Sequence, residues 1–325
     1  MKITEVARDV HRIDTELGPR VNSLYLFVGS DACLLFDTGI DGTAQRDLLP
    51  AFENLGLAPE RLTWAVVSHP DVDHFGGLAS LREFAPQVRV LAHHADAAMM
   101  EDYVTYEDLR GRGFREPWGL DEDPATLEWT RSVTRESTID LHVSGGEHIR
   151  LCDDWSVELV HAPGHSRGHL SVWDPRSRAL VVSDAVLSDA VRLATGEPAF
   201  PPTYRFVDDY LGTIQRFVSM APAHLLTAHY PTMGPEEAQA FLASSRAFVA
   251  DLDRAMLEVI ATSGETGIDL NELLATLNPR VGTWPEDGTL TALAFPVVGH
   301  LERALALGLV EYVGGDGPAR VRSAA

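Results

Sequence analysis

Ser68-His69-Pro70-Asp71-Val72-Asp73-His74-Phe75-Gly76-Gly77 packs two imidazoles and two carboxylates into six consecutive positions, directly after the apolar run Leu62-Thr63-Trp64-Ala65-Val66-Val67. A strand that empties into such a cluster holds its donor atoms on a loop anchored by the sheet behind it, which is what a metal site requires. The competing reading is a solvated acidic turn that happens to carry two histidines. Four ligand-type side chains at this density favour the metal centre.

Two more apolar runs end in the same way. Ala179-Leu180-Val181-Val182-Ser183 leads to Asp184, and His224-Leu225-Leu226-Thr227-Ala228 leads to His229. Strand ends on one edge of a sandwich can converge on a single site. Further strands are predicted at 88–91, 139–143, 147–151, 157–160 and 170–173, the last two joined by His161-Ala162-Pro163-Gly164-His165-Ser166-Arg167-Gly168-His169. Upstream, Val21 to Val28 and Ala32 to Phe36 flank the Gly29-Ser30-Asp31 turn and predict a hairpin ending at Asp37-Thr38-Gly39. Apolar residues recur at helical spacing from Thr43 to Leu55 and from Val207 to Met220, with a shorter helix after Gly77. From Ala95 to Leu127, and on to Trp129, aromatic residues and methionines are interleaved with charges. Such a stretch forms either a helical cap over a substrate pocket or a satellite core under a long loop.

The 325 residues suffice for one large domain and a small one, divided here into 1–240 and 246–325. In the second unit, helices are expected at 247–260, 270–277 and 294–307, followed by a two-stranded wing across Gly314-Gly315-Asp316-Gly317, a winged-helix-like arrangement. That unit has 6 Arg against 11 Asp or Glu, a net of −5, too acidic to hold phosphates, so it is expected to pack on the first unit or to build a homodimer contact. The whole chain carries a formal charge of −22, and Lys2 is its single lysine. Nucleic acid and anionic membranes are therefore not expected as partners. No apolar run reaches the ~18 residues of a membrane span, and no secretory pattern is read at Met1-Lys2-Ile3-Thr4-Glu5. Cys33 and Cys152 stand alone in apolar strands, so a cytoplasmic location is expected.

The motifs together resemble the metallo-β-lactamase superfamily, and in particular its members with an added winged-helix tail. His69-x-Asp71-x-Asp73-His74 is similar to that family's His-x-His-x-Asp-His, Pro163-Gly164-His165 matches its Pro-Gly-His, and Asp184 and His229 match its two later ligand positions. The resemblance covers about Val21 to Pro231 and implies an α/β (α+β) fold, the αββα sandwich with a dinuclear metal site at one edge. Carried over by position, His69, Asp71 and His165 would hold one divalent metal ion, Asp73, His74 and His229 a second, and Asp184 would lie between them. The implied function is a metal-dependent hydrolase that uses a hydroxide held by the two ions against an ester, thioester or lactone-type small molecule, with Asp73 and Asp184 as catalytic residues. Asp73 would also guide a proton to the leaving group. Asp37 and His169 are expected to support the ligands from behind.

Position 71 departs from the pattern. With histidine there, two divalent ions, two carboxylates and a hydroxide would leave one net positive charge; Asp71 cancels it. An added oxygen ligand shifts preference from zinc towards iron or manganese, with zinc still compatible. A carboxylate at this place also resembles the diiron flavoproteins of the superfamily, so a non-haem iron oxidoreductase is the second hypothesis and a catalytically silent binding protein the third. His93, His94, His142, His148 and His161 are assigned to surface or packing, because the matched positions already fill two coordination spheres. Tyr204, Tyr230 and Arg192 lie near the ligand loops, in contact with substrate or in purely structural roles.

Overall fold

A computed structural model describes residues 2–285, 290–314 and 317–324. Its first sheet runs in chain order through β1 (Lys2–Ala7), β2 (Val10–Leu17), β3 (Arg20–Val28), β4 (Cys33–Phe36), β5 (Leu62–Val66), β6 (Arg89–His93) and β7 (Leu141–Val143). Pairing is antiparallel up to β4 and parallel from β4 to β7. The second sheet contains β8 (His148–Cys152), β9 (Trp155–His161), β10 (Leu170–Asp174) and β11 (Ala179–Ser183); after the small hairpin of β12 (Val191–Arg192) and β13 (Pro198–Phe200), β14 (His224–Thr227) joins β11 in parallel. The β1–β2 hairpin lies upstream of the Val21 run. Its alternation of buried and half-exposed residues leaves a weaker apolar signal than the fully buried β4.

Side-chain packing defines the layers. Phe27, Phe36, Val66, Leu159 and Val172 fill the space between the sheets. The outer face of the first sheet is covered by a helical stretch that begins at Ala44 and continues as α1 (Leu49–Asn54), and, beyond the single turn α2 (Val72–Phe75), by α3 (Leu78–Phe84). The expected 43–55 helix is thus present, with a π-type first segment. Next comes the cap: α4 (Ala97–Glu101), α5 (Tyr103–Tyr106), a helical turn at Glu107–Gly111 and α6 (Pro124–Ser132). Met100, Tyr103 and Tyr106 of this stretch pack into the first core, and Tyr106, Arg110, Leu127 and Trp129 line a cavity over the strand ends. On the far face, α7 (Val207–Met220) buries Val207, Tyr210, Ile214 and Phe217 at helical spacing against the second sheet. The result is an αββα sandwich.

The next helix, α8, spans Pro235–Thr262 without a break, through the point where the sequence suggests a division at 240–246. It starts earlier than expected because Pro235 occupies its first turn and the Glu237 carboxylate accepts from Gly234 N–H at 2.9 Å. Beyond it lie β15 (Ile268–Asp269), α9 (Leu270–Val281), α10 (Leu290–Ala306), β16 (Val310–Val313) and β17 (Arg320–Ser323). The turn expected between the last two strands includes Gly315 and Asp316, outside the described residues. Leu273, Leu274, Val297 and Leu301 share one apolar cluster with Leu180, Tyr210 and Ile214, so this segment packs directly on the sandwich. Among the described residues no helix is long and apolar enough to cross a membrane.

Glycine has opposite roles at two positions. A Cβ at Gly77 would collide with the Thr38 carbonyl, where the metal-motif turn crosses the end of β4, whereas one at Gly212 in α7 meets nothing. Gly77→Ala is expected to cost about 1–3 kcal/mol, and Gly212→Ala to stabilise by about 0.5–1 kcal/mol. Urea unfolding of both variants checks this.

Candidate metal centre

The loop after β5 begins with Ser68 N–H donating to Asp37 Oδ1 at 2.8 Å, and Leu170 N–H donates to the Ser68 carbonyl at 2.8 Å, which binds the two sheets together beside His69. The turn α2 then carries Asp73 and His74, with Val72 and Phe75 buried as its anchor. On the opposite sheet, β11 ends at Ser183, β14 runs into His229, and the loop between β9 and β10 delivers His165. All seven expected ligand residues converge: donor atoms of His69, Asp71 and His165, of His69, His74 and Asp184, and of Asp73, His74 and His229 each lie within 4.8 Å of one another. Asp184 Oδ2 is 3.3 Å from His229 Nε2 and 3.8 Å from His74 Nε2. Asp73 Oδ2 is 3.7 Å from each of the same two nitrogens.

The far nitrogens of these imidazoles are held from behind. Asp37 accepts from His74 Nδ1 at 2.9 Å, the Val21 carbonyl from His229 Nδ1 at 2.9 Å, and Ser68 Oγ lies 2.8 Å from His69 Nδ1. This fixes each ring with Nε2 towards the centre. Asp37 and Ser183 have φ of 65° and 47°, unfavourable for residues with a side chain. The bond from Ser183 Oγ to Asp37 Oδ2, 2.7 Å, ties the two kinks together. His169 stacks on His69 at 4.8 Å between ring centroids but reaches no ligand by hydrogen bond.

Electrostatics call for a cation here. Burial opposes charge at His74, yet Asp73, Asp37 and Asp184 outweigh it and push its pKa up to about 10. At His69, burial together with His74 and His165 pushes the pKa down to about 4. Burial likewise opposes charge on Asp184, but His229 and His74 hold its carboxyl well below the usual range. The Nε2 atoms of His69 and His74 and Oδ1 of Asp184 are buried without a hydrogen-bond partner. Buried polar atoms are rarely left unpaired, and imidazole nitrogens with carboxylate oxygens at this spacing suit divalent ions.

One residue at the centre has no counterpart in the sequence reading. Arg110, from the cap, grips Asp71 with two bonds, Nε to Oδ1 at 2.6 Å and Nη2 to Oδ2 at 2.8 Å, and Nη2 also lies 3.1 Å from His165 Nε2. Burial opposes ionisation of Asp71, but Arg110 and then His165 and His69 hold its carboxyl well below the usual range. The only hint in the sequence is the surplus carboxylate at position 71, followed by an arginine-bearing cap.

Residues 17–229 match the metallo-beta-lactamase superfamily. The chain belongs to that superfamily. It is 28% identical over 239 residues to the human acyl-coenzyme A thioesterase MBLAC2, an alignment covering 68% of this chain and 77% of the human one. Among solved structures, a metallo-beta-lactamase family protein from Thermus thermophilus has a TM-score of 0.74 at 19% identity, covering 98% of this chain and 100% of its own. A beta-lactamase domain protein from Burkholderia ambifaria has a TM-score of 0.75 at 18% identity, with 99% and 93% covered. At these identities the structural likeness concerns the fold alone. This metallo-β-lactamase-fold protein is a hydrolase with residue groups able to hold metal.

Three residues near the ligand loops have partners within the fold. Tyr204 is buried with its hydroxyl 2.9 Å from His300 Nε2, Tyr230 donates to the Leu187 and Ala190 carbonyls, and Arg192 pairs with Asp189 at 2.9 Å. Asp37 offers the sharpest test of the support behind the ligands. Asp37→Asn is expected to weaken metal binding about 10–100-fold, measured by competition with a chromogenic chelator.

Proposed function

We propose that this superfamily member is a metal-dependent thioester hydrolase acting on a small-molecule substrate. The observation that carries the reading is the convergence of the seven ligand-type residues, four of which (Asp71, Asp73, Asp184 and His229) line the floor of one cavity, in a chain similar over most of its length to an acyl-coenzyme A thioesterase. His69, Asp71 and His165 would hold one divalent ion, Asp73, His74 and His229 the other, with Asp184 reaching both. Ions bound there supply Lewis acidity and make water a nucleophile at neutral pH.

The remaining work falls to the chain. Asp37 and the Val21 carbonyl keep His74 and His229 in the tautomer that presents Nε2. Tyr106 and Arg110 of the cap line the cavity beside Asp71 and limit the access of bulk water. Asp73 also lines the cavity, and its carboxylate is placed to pass the proton that the departing thiolate takes up as the C–S bond breaks and a C–O bond forms. Arg110 returns the positive charge that Asp71 removes, so the pair substitutes jointly for a neutral ligand. The oxygen donor of Asp71 favours iron or manganese beside zinc. Residues 246–325 form the winged-helix-like unit of this enzyme, and the free thiols Cys33 and Cys152 suit a cytoplasmic setting.

Elemental analysis of protein purified without added metal, followed by assay of thiol release from acyl-coenzyme A, tests the reading. Metal at or near two ions per chain, with activity lost to a chelator and restored by metal, is the expected result. A metal-free protein that no divalent ion activates, or oxygen uptake with bound iron and no thiol release, would overturn it. Asp71→His alone strands the buried guanidinium and is expected to cost about 3–5 kcal/mol in unfolding free energy. Adding Arg110→Met should recover most of that loss, as read in a double-mutant cycle of urea unfolding.

A further inference from the structure

The cavity above the metal centre, about 380 Å³, has a polar floor and walls that mix apolar and polar side chains. Its floor includes Asp71, Asp73, Asp184 and His229; the apolar part of its walls is Leu127 and Trp129 of α6, Phe200 of β13, and Ala292 and Phe295 of α10, with Arg20, Glu122 and threonines between them. In a chain with a net charge of −22, these five partly exposed apolar side chains beside a polar floor suit a ligand with an apolar arm and a polar reacting group. Trp129 is 41% exposed at the rim.

The C-terminal unit fixes this wall in place. Phe295 meets Phe114 of the cap edge-on at 4.8 Å and lies under the Arg110 guanidinium at 4.4 Å from its ring centroid. Thr291 and Glu122 both line the cavity, and Ala319 N–H donates to the Pro117 carbonyl at 2.9 Å. The cap is therefore clamped between the metal centre and α10, and one helix face of the C-terminal unit completes the substrate cavity.

We propose that α10 reads the acyl group: the acyl chain of the thioester lies between Leu127 and Trp129 on one side and Phe295 and Ala292 on the other, with its carbonyl over the metal centre. This rests on the thioester reading. The cavity is at the small end of the roughly 300–1,000 Å³ of ligand pockets, so short and medium acyl chains fit and long fatty acyl chains do not.

The experiment compares kcat/KM of the full-length, metal-loaded enzyme across acetyl-, butanoyl-, octanoyl- and palmitoyl-coenzyme A. Each added methylene should raise it by about fourfold until the slot is full, after which it falls. Ala292→Phe fills the slot, so the octanoyl-to-acetyl ratio drops at least about tenfold, the equivalent of about two methylenes. Phe295→Ala opens it, so the preferred chain becomes longer. A ratio between substrates is independent of the fraction of folded enzyme, and opposite shifts in the two variants cannot come from a general loss of structure. A profile that neither variant changes, in an enzyme that cleaves thioesters, would overturn the acyl slot alone. Failure of the wild type to cleave any of the four would overturn the thioester reading and the slot with it.

Discussion

A single buried carboxylate, that of Asp37, joins the parts from which the candidate metal centre is made. Its two oxygens accept from Ser68 N–H, from His74 Nδ1 and from Ser183 Oγ. The loop after β5, the turn α2 and the end of β11 are thereby fixed to the end of β4, across both sheets. A fully buried anion is expensive unless every lone pair is used. Here the desolvation is offset chiefly by His74, which holds the Asp37 carboxyl below its ordinary range. The unfavourable φ at Asp37 and Ser183 persists because this network over-determines both residues.

The same accounting of buried charge explains Arg110. A histidine at position 71 would need no counter-ion, whereas an aspartate at the edge of a cluster already containing Asp73 and Asp184 does. Arg110 meets that need with a bidentate grip, the geometry in which a guanidinium and a carboxylate interact most strongly. Because Arg110 comes from the cap, the departure at position 71 also attaches the cap to the centre, and through Phe295 the C-terminal unit to both. The ligand set and the architecture above it are linked through one ion pair.

The C-terminal segment is anchored on the sandwich. Residues 246–325 are acidic, and Val297 and Leu301 of α10 are buried in the apolar cluster shared with the sandwich. Thr291, Ala292 and Phe295 at the start of α10 line the cavity. Packing on the sandwich is one of the two roles expected for this acidic segment.

The sequence by itself determined the local features: apolar runs that become strands, the His69–His74 cluster at the end of one of them, Asp184 and His229 at the ends of two others, and the helix Val207–Met220 at the bounds its spacing predicts. These are legible because short-range periodicity and turn chemistry act within a few residues. Even the early start of α8 is written in Gly234-Pro235-Glu236-Glu237. Tertiary structure alone decided the partners. Nothing local pairs Arg110 with Asp71, 39 positions away, or sets Phe295 under that guanidinium. Such contacts depend on how the cap and the C-terminal helices fold back over the strand ends, and their energy comes from desolvation and complementary charge, which exist only once the chain is packed.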